Sequence, residues 1–356
     1  MLPYYVLLLL PIFIQSVSLR GIDNAKKNKF TLNLFFGMLL FLMMFRHKTV
    51  GNDTVNYMFL FDNIAYAPLK SVKVFADEFG FVLLNKAISL ISMDSRFFIG
   101  ICSIIIVLLI APSFVRANQD AGLTISLYCI MSTFVMMFSG IRQMLAIGIG
   151  FVAYHFVKQK KILPYVLCVI LAFTFHNSAI MLAFLYPIYH AKITKRWLYV
   201  VIPIMGAIFV FNREMFTVVA WFLQRYSRFE GTISSTGAYT MIILFVIFSV
   251  FSYVVPDERK MDEETIGLRN MLLLATAIQF FAPLHSLAMR MNYYYIIFIP
   301  LLMPKIIQCR SEKWSNVAIL GRHCMVVFFL FYFFVDAKPG GGLHIFPYHF
   351  FWENLI

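Results

Sequence analysis

From one end of the chain to the other, apolar runs recur at about the length a helix needs to cross a bilayer. They fall at residues 2–19, 30–45, 97–115, 122–139, 142–157, 162–176, 177–190, 197–211, 238–255, 267–283, 290–304 and 315–335. Backbone N–H and C=O groups find no water in hydrocarbon, so such a chain must close its hydrogen bonds within each segment, and helices do this. The sequence therefore predicts an all-α, polytopic transmembrane bundle of about twelve spans, forming one integral-membrane domain over residues 1–356. Only 13% of the residues are charged, against about 25% in soluble domains, which excludes a soluble enzyme. The first run has no basic leader and no small-residue cleavage site, and is expected to be a retained helix.

A net charge of +13 does not point to nucleic acid, because the basic residues come as short clusters between apolar runs. They act as topology signals instead. The segment 76–92, "ADEFGFVLLNKAISLIS", is apolar but interrupted by Gly80, Asn85 and Lys86. If it does not cross, and forms an interfacial or re-entrant helix, the clusters "RGIDNAKKNK", "VKQKK", "AKITKR" and "PKIIQCRSEK" all face the cytoplasm. Of the 30 Lys and Arg, 17 then lie on cytoplasmic segments and 12 outside, with Arg322 inside a span. Both termini are external, as are the loop 46–96, the loop 212–237 and the aromatic tail 336–356. The five cysteines show no CxxC spacing, and neither a metal site nor a cofactor is indicated.

This threading gathers the polar residues on the outer face. "RHKTVGNDTVNY" opens the first large external loop with Asn52, Asp53, Thr54 and Tyr57. The same face receives Arg142 and Gln143 in "SGIRQMLAIGIG", His176 and Asn177 in "FHNSA", Arg225 and Arg228 in "QRYSR", and His285, Arg290, Tyr293 and Tyr294 in "LHSLAMRMNYYY". Arg142 and Arg290 sit at apolar helix ends, where a guanidinium needs a partner. Each either snorkels to lipid headgroups or offers its planar fork to phosphate. His176 is either part of a helix cap or a proton relay. Asp53 is either an Asx-turn residue or a general base. The aromatic residues around Arg290 and in "HIFPYHFFWENL" either stack on sugars or anchor the tail in the membrane.

The ordered set "VGNDTVNY", "EFGFVLLNKAI", "SGIRQMLAIGI" with its basic turn "KQKK", "FHNSAI", "RMNYYYIIFIPLL" and "FPYHFFW" resembles the Wzy-type repeat-unit polymerases of bacterial surface polysaccharides, in particular the EpsG-like branch. The resemblance implies a glycosyltransferase at the outer face of the bacterial cytoplasmic membrane. It would move a growing glycan from its polyprenyl diphosphate onto a new lipid-linked repeat unit, building O-antigen, capsule or exopolysaccharide. It implies no cofactor. The expected partners are polyprenyl-diphosphate-linked oligosaccharides, the lipid bilayer, a flippase and a chain-length regulator. On this reading Arg142 and Arg290 hold the diphosphate, Asp53 is the base and His176 a second donor or relay. A lipid-linked oligosaccharide transporter would be expected to show two related halves and a charged mid-membrane path. A polysaccharide O-acetyltransferase would need an acyl donor reached from the cytoplasm. Neither pattern is seen.

Overall fold

The computed structural model describes residues 1–17, 23–68, 77–117, 119–222, 237–284, 286–337 and 345–354. Among them the regular structure is helical, apart from two isolated antiparallel bridges, Arg46 with Phe350 and Pro256 with Arg310. The chain forms two compact units. One comprises Met1–Ala183 with Gly321–Ile356, the other Phe184–Leu320.

The first unit contains α1 (Leu2–Ser16), α2 (Asn24–Met44), α3 (Thr54–Tyr66), α4 (Phe79–Ser89), α5 (Ser95–Ala117), α6 (Ala121–Ile130), α7 (Ser132–Ser139), α8 (Ile141–Lys158) and α9 (Ile162–Phe175), followed by a 3₁₀ segment over Asn177–Phe184. α2 packs on α1 and α5, and α8 lies against both α5 and α9. The second unit contains α10 (Leu185–Tyr189), α11 (Leu198–Val210), α12 (Asn212–Phe222), α13 (Gly237–Val254), α14 (Glu263–Gln279), α15 (Ser286–Ile296) and α16 (Ile299–Gln308). α17 (Ser315–Asp336) begins there and ends in the first unit.

Helical structure occupies each of the twelve apolar runs, with three departures from the expected pattern: the run 177–190 is a 3₁₀ segment over Asn177–Phe184 followed by the short α10, and two others are broken. The run 122–139 is broken at Met131, whose extended backbone bends α6 from α7 by 62°. The run 290–304 is split into α15 and α16. Two helices, Ser95–Ala117 and Glu312–Val335, are long and apolar enough to cross a membrane, or up to four if each bent pair is one span. Large apolar side chains stand exposed in bands, Leu163, Leu167 and Ile170 on α9 and Ile243, Ile247 and Val250 on α13, while α11 buries none of its residues. Soluble proteins rarely show such surfaces. This is a membrane protein.

Several polar side chains within these helices find internal partners, as a membrane interior favours. In the second unit Ser249 and Thr276 hydroxyls lie 2.9 Å apart, and the Asn292 amide donates to the Ala275 carbonyl at 2.8 Å and to Gln279 at 3.0 Å. In the first, Arg322 is held by Asp120, which also caps α6 by accepting from the Leu123 N–H at 3.1 Å. The aromatic tail is tied down over its described part: His47 N–H donates to the His349 carbonyl at 2.8 Å, Phe351 N–H to Phe45 at 3.0 Å and the Tyr348 hydroxyl to Leu42 at 2.9 Å. Phe346 and Tyr348 are buried with Tyr4. These two rings belong to the core rather than to a sugar platform.

Candidate active site

The loop "VGNDTVNY" is a docking device before it is anything else. Gly51 has φ +91°, and a Cβ there would meet the Phe138 carbonyl oxygen at 2.5 Å, so only glycine lets the turn sit on the end of α7. The Asn52 N–H donates to the Ser139 hydroxyl at 3.2 Å, and the buried Thr54 hydroxyl donates to the Val50 carbonyl at 2.7 Å. Three residues past Ser139 comes Arg142. The sequence motif and the arginine helix, far apart in the chain, are thus one structural block.

Tyr57, on the first turn of α3, and Phe81, on the first turn of α4, pack edge to face at 5.9 Å, and the Arg142 guanidinium lies 5.7 and 5.6 Å from their ring centres. That is cation–π range. Arg142 Nη1 donates to Glu78 Oε2 at 2.7 Å. The other carboxylate oxygen of Glu78, Oε1, is 3.5 Å from His176 Nδ1. One carboxylate therefore ties together residues from three elements: the start of α4, the start of α8 and the end of α9. Glu78 is 9% exposed, against 28% for the Arg142 side chain and 23% for that of His176. The base of the site is buried and its cationic rim is partly exposed.

Local structure explains the convergence. α9 ends where His176 turns extended and its N–H closes on the Ala172 carbonyl at 3.1 Å. The cap reading of His176 is met by its backbone, while its side chain faces Glu78. α4 approaches α9 so closely that a Cβ on Gly80 would fall 2.2 Å from the Thr174 hydroxyl oxygen. This contact seats Glu78 beside His176. No side chain caps the N-terminus of α8, so its positive end adds to the field of Arg142.

Electrostatics follow the geometry. Burial alone would raise the Glu78 carboxyl, but the contacts with His176 and Arg142 outweigh it and hold the group below its ordinary value. Burial pushes the Tyr57 phenol up, Arg142 opposes this, and the charge of Asp53 adds to it. Arg142 Nε and His176 Nδ1 are buried without a well-formed hydrogen bond. Such polar atoms are the ones a ligand or a small closure would satisfy.

A match to the EpsG family model spans residues 29–350. The chain belongs to the EpsG family. Membership points to a polysaccharide polymerase-type role for this membrane protein. No curated protein and no solved structure matches the chain.

The residues expected at the outer face are distributed unevenly. Arg142, His176 and Tyr57 come together, and Asn52 and Thr54 hold the turn beside them. Asp53 precedes α3 without capping it, and its carboxylate makes no hydrogen bond or ion pair among the described residues, although its charge reaches Tyr57. Gln143 is buried in the first turn of α8, and Asn177 is half-buried beside His176. In the second unit Arg290 is exposed on α15, while Tyr293 and Tyr294 of the same helix are buried. The two tyrosines are core residues there, since the face of α15 that carries them packs inward rather than presenting rings at the surface. Arg225, Arg228 and His285 lie outside the described residues. Glu78 does not stand out in the sequence, where it is one of several carboxylates on the segments threaded outside. Its signal is its place, immediately before the apolar helix "FGFVLLN" and next to Gly80.

Proposed function

We propose that this EpsG-family chain is a glycosyltransferase that joins lipid-linked oligosaccharide repeat units into a surface polysaccharide, at the outer face of the bacterial cytoplasmic membrane. The observation that carries the proposal is the Arg142–Glu78–His176 cluster, a fixed cation beside a carboxylate-held imidazole at the end of apolar helices. Transfer between polyprenyl-diphosphate-linked glycans asks for these two functions.

In the proposed step, a hydroxyl oxygen of the incoming unit attacks the anomeric carbon of the growing glycan. The bond from that carbon to the diphosphate oxygen breaks, and its electron pair leaves with the polyprenyl diphosphate. The hydroxyl proton passes to His176 Nε2, while Glu78 holds Nδ1 and steadies the imidazolium, the arrangement by which a carboxylate orients a histidine base. Arg142 faces the departing diphosphate with the guanidinium edge that Glu78 leaves free, where charge develops in the transition state. Tyr57 and Phe81 hold the guanidinium plane. Geometry favours His176 over Asp53 as the base, because His176 is anchored to the arginine through Glu78 and Asp53 is not. On this reading Asp53, on the same turn, binds a sugar hydroxyl, and Arg290 is the second arginine that contacts diphosphate. The twelve-span threading, with the first loop external, belongs to the same reading.

The test is made in cells that assemble the polysaccharide. Arg142→Ala and His176→Asn should abolish the polymer ladder on a gel and leave single repeat units, whereas Asp53→Asn should retain a ladder. An undiminished ladder in both of the first two variants would sink the assignment.

A further inference from the structure

A second cationic feature lies in the first unit, outside the cluster around Glu78. A cavity of about 720 Å³ opens between the end of α2, the first turns of α3 and the N-terminal half of α5. Its polar end carries Arg46, Lys48 and Arg96 with one carboxylate, Asp94, and His47 beside them. Asp94 is committed to Arg96 at 3.4 Å. Arg46 is only 4% exposed and donates to the Met43 carbonyl and the Thr54 hydroxyl, yet among the described residues it has no carboxylate partner and its Nη2 has no hydrogen-bond partner. Burial lowers it to about 10, so its charge persists at neutral pH. A buried guanidinium without an anion calls for one.

The other end of the cavity is apolar and directional. Phe97, Ile101 and Ile104 line it, and at spacings of four and three they form one stripe on α5, which continues to the exposed Leu108. α5 is one of the two helices long and apolar enough to cross a membrane. The cavity therefore has the form of an amphiphile site: excess positive charge at the end of a spanning helix, then an apolar track along it. It is coupled to the Arg142 cluster through one helical turn, because Thr54 and Met58 of α3 line the cavity while Tyr57 packs under Arg142.

We propose that this cavity holds the diphosphate and first prenyl units of the second lipid-linked substrate, the one whose diphosphate is not at Arg142. This rests on the polymerase reading, in which two lipid diphosphates must be present at once. Charge complementarity selects the headgroup, and the α5 stripe selects a membrane-embedded chain over free diphosphate.

The full-length protein, in phosphatidylcholine vesicles, is photolabelled with a benzophenone-bearing farnesyl diphosphate. Labelled peptides should include Phe97–Ile104. The exposed-rim variant Lys48→Gln/Arg96→Gln, checked for wild-type melting, should label about tenfold less, as expected when charge-assisted contacts are lost. Excess phosphatidylglycerol should leave the labelling in place. Unchanged labelling in the rim variant, or displacement by phosphatidylglycerol, would overturn the proposal. Arg142→Ala separates this from the polymerase reading. If that variant loses polymer in cells and the α5 stripe stays unlabelled in wild type, the cavity alone fails. If it keeps the full ladder, the polymerase site fails first.

Discussion

Gly80→Ala asks whether the seating of α4 on α9 sets the geometry of the site. The added Cβ would stand 2.2 Å from the Thr174 hydroxyl oxygen, 3.0 Å from Thr174 Cβ and 3.1 Å from Phe175 Cδ2. The threonine cannot simply turn away. Its χ1 is stiff because it is β-branched, and its hydroxyl is engaged with the Leu171 carbonyl at 2.7 Å. Ordinary contact returns only if α4 withdraws by about 1 Å, and a misplacement of that size at a reacting centre costs on the order of 100-fold in rate. Overpacking costs about 1–3 kcal/mol, partly offset by the ~0.5–1 kcal/mol that alanine gains over glycine in a helix. The variant should therefore lose about 0–2.5 kcal/mol of stability in detergent while making about 100-fold less polymer. Gly80→Ala/Thr174→Ala, which removes the closest clash, should recover much of the output. Full polymer output by Gly80→Ala, with unchanged melting, would refute the idea that this contact positions Glu78.

Gly51→Ala should be worse for stability, by about 2 kcal/mol or more, because a positive φ and a backbone carbonyl both exclude a side chain; melting in detergent reads this directly. For Glu78 the sign of the pH effect follows from a carboxyl held below its unfolded value. Its contribution is complete at neutral pH and is lost as pH falls through the folded value, below the ordinary carboxylate range. The melting difference between wild type and Glu78→Gln should therefore shrink only under acid conditions. Asp120→Ala strands Arg322 and uncaps α6 together, and should lower stability by about 1–3 kcal/mol. Arg322→Met should cost less than Asp120→Ala, since it keeps the cap and the helix volume, and melting of the two variants side by side would check this.

The helical architecture was legible because apolar runs at membrane length admit few alternatives, and helical structure is found in every predicted run. What the periodicity could not carry was the breaks, such as the extended backbone at Met131 that splits one run, where no proline or glycine marks the bend. Arg142 and His176 stood out because polar groups are costly at apolar helix ends. Glu78 did not, because its importance lies in meeting partners 64 and 98 residues away, and an isolated "DE" before a helix carries no such distance information. Tyr293 and Tyr294 misled for the opposite reason. Tyrosine beside an arginine reads as a recognition surface, but α15 turns both rings inward. The Asx-turn alternative in "VGNDTVNY" was visible, while the close approach of Gly51 to the Phe138 carbonyl is a tertiary fact that local sequence does not encode.

The most direct test supplies the purified chain, in liposomes, with one substrate, a polyprenyl-diphosphate-linked repeat unit. Wild type should produce a ladder of multiples and release polyprenyl diphosphate in step with each addition. Arg142→Ala, confirmed as folded by its melting profile, should leave the substrate as single units. A ladder of wild-type length from Arg142→Ala, or wild-type protein that binds the substrate and never extends it, would contradict the account.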